Sequence, residues 1–186
     1  MHPSVKVLMR RSGLLLAALA LLSPASARQW NPDARGSALD YTQVLHAKPG
    51  GEIVVVWWVV PEAFPSDATT QVLKDVLGRY VVIGVANGRP TPNGGMGFSP
   101  ILDLKISDQS GRQLSPLAAS VTPPELAQAM GAVQGIARQS LGAIGQGMRF
   151  FTFDGSTIHS CMPGKLTVPF GGETYTYDTP IPGCPK

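Results

Sequence analysis

Residues 53–60 read Ile-Val-Val-Val-Trp-Trp-Val-Val, eight apolar side chains in a row between Gly50-Gly51 and Pro61. Successive residues of a strand point to opposite faces, so a strand with no polar position needs cover on both. This one is therefore predicted at the centre of a sheet. Trp57 and Trp58, as sequence neighbours, are predicted on opposite faces, both in the core.

Working outward, residues 41–46 precede the Lys48-Pro49-Gly50-Gly51 turn and read as an antiparallel neighbour. Residues 79–86 (Arg-Tyr-Val-Val-Ile-Gly-Val-Ala) make another strong strand, ended by Asn87-Gly88, in which Gly84 suggests a bulge. Ile101, Leu102, Leu104 and Ile106 alternate in part, and a turn over 108–111 leads into a strand over 112–117. Residues 150–153, 165–170 and 173–177 add three more strands, the last two joined by Gly171-Gly172, a two-residue hairpin signal.

Two helices interrupt the strands. Ser66 or Asp67 caps a short one, in which Val72, Leu73, Val76 and Leu77 share a face before Gly78. The second starts at Thr122-Pro123-Pro124-Glu125, with Thr as the cap, Pro at the first helical position and Glu at the third. Leu126, Met130, Val133, Ala137, Leu141, Ile144 and Met148 then form one apolar stripe over about six turns. Ala127, Gly131 and Gly135 recur every four residues, as close approach to another element inside the domain requires; Gly142, Gly145 and Gly147 mark fraying toward the next strand. The fold class expected is mainly β: an antiparallel β-sandwich-like single domain with one long and one short helix, with an α+β layered fold as the alternative. Residues 28–40 read as an extended amino-terminal arm and 41–186 as the β-rich domain.

Composition narrows the possible functions. With 44% hydrophobic and 15% charged residues, 21 Gly and 17 Pro, the 186-residue chain is neither disordered, collagen-like nor a coiled coil. Its formal charge of +3 comes from Lys6, Arg10 and Arg11, which precede the uncharged apolar run 13–22 and the small residues Ala25-Ser26-Ala27. That order is the pattern of a secretory signal peptide over 1–27, cut near Ala27. In helical form the run spans only about half of a ~30 Å hydrocarbon core, so no stable membrane insertion is expected after cleavage. Arg10-Arg11 suggests a twin-arginine leader, but the Leu-rich run that follows favours the general secretory route. Beyond residue 27, twelve basic residues balance twelve acidic ones, which lacks the basic excess that nucleic acid or an anionic membrane surface demands. The expected location is the periplasm or the cell exterior, where Cys161 and Cys184 pair in a structural disulfide.

No Gly-x-Ser-x-Gly elbow or phosphate-binding loop occurs, and no cofactor is expected. His46 and His159 are the histidines beyond the leader. Asp154, Ser156 and Ser160 lie near His159, so a hydrolase using His159 with Asp154 and Ser156 is one alternative. The run His159-Ser-Cys161-Met162 offers soft ligands, so copper binding through His159 and Met162, helped by Met96, Met130 or Met148, is another. Residues 87–99 form a long aperiodic Gly/Pro loop in which Arg89, Met96 and Phe98 are the candidate binding residues. The leading expectation is a non-enzymatic exported protein that binds another protein or an envelope component through loops and exposed strand edges.

Overall fold

β3 (Ile53–Val59) pairs antiparallel with β2 (Gln43–Ala47) on one side and β4 (Tyr80–Pro90) on the other. In this computed structural model, which describes residues 29–30 and 36–185, the expected leader and its cleavage point lie outside the described residues. The far edge of β4 is shared: β8 (Arg149–Asp154) pairs with its first half and β5 (Met96–Phe98) with its last residues. A second sheet runs in the order β1 (Gln29–Trp30), β10 (Glu173–Thr179), β9 (Gly164–Phe170), β6 (Ile106–Ser107), β7 (Gln113–Leu114). Four helices complete the described chain: α1 (Ala38–Thr42), α2 (Ala68–Leu77), α3 (Pro124–Leu141) and α4 (Ala143–Gly147). The architecture is mainly antiparallel and sandwich-like, as expected.

Both faces of β3 are covered, by different partners. Val54, Val56 and Trp58, with Val81, Ile83 and Val85 of β4 and Phe151 and Phe153 of β8, meet Leu166, Val168, Tyr175 and Tyr177 of the second sheet. Val55, Trp57 and Val59, with Val82 and Ala86 of β4, meet Leu77 of α2, Val133 and Ala137 of α3, and Met148. The layers are therefore sheet, sheet, helices. Burying each of the Val, Leu, Ile, Phe and Met side chains among them contributes about 1.5–3 kcal/mol.

Several local expectations are corrected. Gly84 does not mark a bulge: its register with Trp57 and Phe150 is unbroken, and a Cβ there would lie 2.5 Å from the Phe150 ring. Its bare backbone lets Phe150 lean over β4 to meet Trp57 edge-on at 6.1 Å. Residues 101–104 stay outside the ladder, with Leu102 83% exposed, and the strands expected over 101–106 and 112–117 shrink to Ile106–Ser107 and Gln113–Leu114. The expected loop over 87–99 is mostly a hairpin, because β4 continues to Pro90 and β5 returns alongside it. Val72 is exposed, leaving Val76 and Leu77 as the buried residues of α2.

α3 also differs from its pattern. Pro123 is the cap residue, and the Thr122 hydroxyl instead donates back to Ala118 O. Gly142, at φ +55°, ψ −125°, ends the helix, and α4 carries Gly145 and Gly147. The roles of the glycines are exchanged. A Cβ on Gly131 or Gly135 would meet nothing within 4 Å, whereas one on Gly145 would lie 1.9 Å from Ala137 O and one on Gly147 2.3 Å from the Phe98 ring. The tight packing is at the helix end and the Ala127-Gly131-Gly135 stripe is open.

Residues 38–42, expected as the end of an extended arm and the start of a strand, form α1. Ser37 and Asp40 cap it reciprocally. The helix points the Tyr41 hydroxyl at β10, where it donates to Asp178 O at 2.8 Å and accepts from Asp178 N at 3.0 Å. Burial raises the phenol's pKa, so the clamp stays neutral across the physiological range. Gly171 and Gly172, both at positive φ, form the expected two-residue turn between β9 and β10. The Cys161–Cys184 disulfide closes the base of that hairpin, with Cα atoms 5.3 Å apart.

Two substitutions test the glycine assignments by thermal and urea melts. Gly131→Ala is expected to stabilise the fold by about 0.5–1 kcal/mol, because it adds helix propensity in open space. Gly145→Ala is expected to destabilise it by about 2 kcal/mol or more through overpacking against the α3 backbone. Equal effects would place the tight contact elsewhere.

Candidate functional site

The residues singled out in the sequence do not gather in one place. Arg89 is exposed beside Gly97 on the β4–β5 hairpin, and Pro90 faces Met96. Phe98, opposite Gly88, lays its ring where a Cβ of Gly147 would stand, so it acts as a packing wedge between the hairpin and α4. Asp154 and Ser156 bond to each other: the carboxylate accepts from Ser156 N and Oγ, both at 3.0 Å, in a surface turn. His159 is exposed and makes no hydrogen bond to either, so the hydroxyl and imidazole of a nucleophile–base pair are not in contact.

His46 and His159 lie off opposite ends of β3. His46 pairs with Val54, whereas His159 shares a surface groove with Pro61, at a separation of roughly 20 Å along the strand. Met162 is 60% exposed, and Met148 is buried in the helix-facing core, so these thioethers do not converge with His159 on a copper site. Glu62, Cys161 and Cys184 do cluster among the described residues, but the two sulfurs are bonded to each other and neither is a thiolate. The Glu62 carboxylate touches Cys161 Sγ at 3.1 Å, and its second oxygen is buried without a partner.

One polar constellation escaped the sequence. Glu173 Oε2, at the start of β10, accepts from Trp30 Nε1, from His46 Nδ1 at 3.1 Å and from Tyr175 Oη at 3.2 Å. The Trp30 ring sits 4.4 Å from His46 and stacks on Tyr175 at 6.3 Å. Since an ionised carboxylate only accepts, His46 Nδ1 carries a hydrogen. Burial opposes the Glu173 charge, but the indole donor, His46 and the Tyr175 hydroxyl outweigh it and hold this carboxyl below its ordinary value. The cluster binds β1, β2 and β10 together across the two sheets. The carboxylate–imidazole pair, with the Tyr175 hydroxyl on the same oxygen, acts structurally as a clasp between the sheets.

A groove of about 760 Å³ lies between β8, residues 115–119 and α3. Ala127, Met130 and Gln134 of α3 form one wall, and Arg149 to Thr152 of β8 form the floor. The edge of β8 is readable from one bond: Thr152 O accepts from Leu117 N at 2.7 Å, so Thr152 turns its backbone polar groups away from β4. By the period of two, Phe150 does the same. The N–H of Thr152 and both polar groups of Phe150 therefore face the groove, and among the described residues no strand pairs with them. The Arg149 guanidinium lies over the Phe151 ring at 5.4 Å, at one end of this edge. The small-residue wall had a signal in the sequence, the spacing that begins at Ala127, but it borders open space and not the interior.

No protein-family profile matches the chain, and neither a curated protein nor a solved structure shows a significant match to it.

The clasp predicts a defined pH dependence. Because the Glu173 carboxyl is held below 4.5 in the folded chain, its stabilisation is full above that value and is lost as pH falls through the lower folded value. Glu173→Gln is expected to cost about 1–3 kcal/mol at pH 7, measured by urea unfolding, with the gap from the parent closing in acid. A gap that persisted unchanged at pH 3 would assign the loss to packing.

Proposed function

We propose that the chain is an exported, non-catalytic binding protein that holds an extended segment of another polypeptide in the β8–α3 groove. The supporting observation is the combination of an unpaired stretch of strand edge on the floor with a wall of small side chains. An added strand gains main-chain hydrogen bonds from such an edge, and alternate side chains take their places against the wall. Phe150, Met130 and Leu117 provide apolar contact, while Asp103 and Arg149 supply one charge of each sign. This chemistry suits a peptide of mixed sequence read mainly through its backbone.

Export rests on the leader pattern over 1–27 and is supported by the Cys161–Cys184 disulfide, which persists in oxidising compartments. Among the described residues no helix is long and apolar enough to cross a membrane. The natural partner class is therefore another envelope or secreted protein. The β4–β5 hairpin, with Arg89, Met96 and Phe98, lies farther along the same edge of β4 and offers the partner a secondary contact through Arg89.

Selection of peptides of about 10 residues from a displayed library, followed by calorimetry, tests the groove. Thr152→Pro removes an outward N–H without touching the β4 ladder, and Ala127→Trp fills the groove from an exposed helix position. Each is expected to weaken selected peptides by about tenfold or more. Selected peptides that bind both variants as tightly as the parent would place recognition elsewhere on the surface.

A further inference from the structure

We propose that the Cys161–Cys184 bridge is an exchangeable disulfide that reacts with small-molecule thiols through a groove beside α2, and that Glu62 is the carboxyl that moves its protons. The groove, about 540 Å³, is bordered by Pro61 and Glu62 after β3, by α2 and by residues 159–161. Cys161 lines it, whereas Cys184 packs against the core between the sheets, so Cys161 Sγ is the sulfur an incoming thiolate reaches.

Each sulfur stands beside an oxygen acceptor. Glu62 Oε1 is 3.1 Å from Cys161 Sγ, and Ser160 O is 3.4 Å from Cys184 Sγ. A disulfide sulfur has no hydrogen to donate, so the bridged form leaves both contacts unused; the dithiol form turns both into S–H···O bonds. Glu62 gains most, because among the described residues no N–H or O–H donor meets either of its oxygens. The sulfurs also stay together once the bond opens. Ile181 N donates to Ser160 O and Cys184 N to Ile181 O, and Gly183 packs against Glu62, where an added Cβ would lie 3.7 Å from Glu62 Cβ. The other charged side chains of the groove are engaged elsewhere: Lys74 donates to Ser66, Asp75 accepts from Gln71 and Arg79 pairs with Glu125.

The incoming thiolate attacks Cys161 Sγ; the S–S bond breaks and its electron pair passes to Cys184 Sγ, which takes up a proton and shares it with Ser160 O. A second thiol attacks the sulfur now bound to Cys161 and frees Cys161 as a thiol donating to Glu62 Oε1. Two small thiols have become one disulfide, and their two electrons and two protons reside on the cysteines. In the return direction Glu62 takes the Cys161 proton, Cys161 attacks a small-molecule disulfide, and Cys184 then closes the bridge. The two leaving thiolates receive the protons.

The test starts from the folded, bridged chain without denaturant. Dithiothreitol is expected to release both cysteine thiols, counted by mass after alkylation, with the near-ultraviolet circular dichroism retained. Reoxidation by oxidised glutathione is then timed across pH. Glu62→Gln is expected to slow it by about tenfold or more near pH 6, with the gap closing toward pH 9, where the thiols ionise without a base. Glu62→Asp, which withdraws the carboxyl by one methylene, should show a smaller deficit with the same pH dependence. His159→Ala, on the same groove, should match the parent. A bridge that yields to dithiothreitol only when urea unfolds the chain, a Glu62→Gln rate equal to the parent's near pH 6, a deficit of one size at every pH, or an equal loss in His159→Ala would overturn the proposal.

Discussion

A strand with two apolar faces cannot lie on a surface, and the whole arrangement follows from that constraint on β3 and β4. Their inward residues, Val54, Val56, Trp58, Val81, Ile83 and Val85, are almost fully buried, and so are Val55, Trp57, Val59 and Val82 on the reverse. Because one cover is a sheet and the other a pair of helices, the chain needs three layers. The segments that supply them come from both ends of the sequence: α2 follows β3 directly, while α3, β9 and β10 arrive more than sixty residues later. The central strands cannot shed water until those late segments have docked, so the two cores are expected to form together.

Contacts at the margins then fix how the sheets sit on each other. At the Gly171-Gly172 end the Glu173 cluster joins β1 and β2 to β10, and near the far end of β10 the Tyr41 hydroxyl satisfies both backbone groups of Asp178. At that same far end the disulfide closes the β9–β10 hairpin, and Ile181 N donates to Ser160 O within the same closure. These polar and covalent contacts contribute less than the apolar layers. Their effect is directional, because hydrophobic contact alone would let two sheets slide.

Legibility in the sequence followed the range of the interaction. The unbroken run at 53–60, the Gly171-Gly172 turn, the Asp67 start of α2 and the lone cysteine pair each declare themselves within a few residues or by count, and each appears as expected. The clasp could not be read, since His46 and Trp30 stand 127 and 143 residues from Glu173, and no local pattern connects such residues. The capping box at Thr122 was overridden because Thr122 already closes the turn that begins at Ala118. The glycines misled for a related reason: spacing reveals which residues share a helix face, but not whether that face meets a neighbour. Gly131 and Gly145 look alike in sequence and differ entirely in what stands opposite them. The groove was foreshadowed only as a general expectation of open strand edges; its place on β8 required the register of β4.

α3 gathers the functional consequences. Its buried stripe of Leu126, Ala129, Val133 and Ala137 is narrow and built partly of alanine, with Met130, Ile136 and Leu141 partly buried beside it. One flank faces the open edge of β8, the other the void over Trp57. On the β8 side the small side chain of Ala127 borders a space where the sheet edge also presents backbone amide and carbonyl groups that no described strand pairs. That coincidence of an open space with unpaired main-chain groups is what the proposed peptide groove rests on.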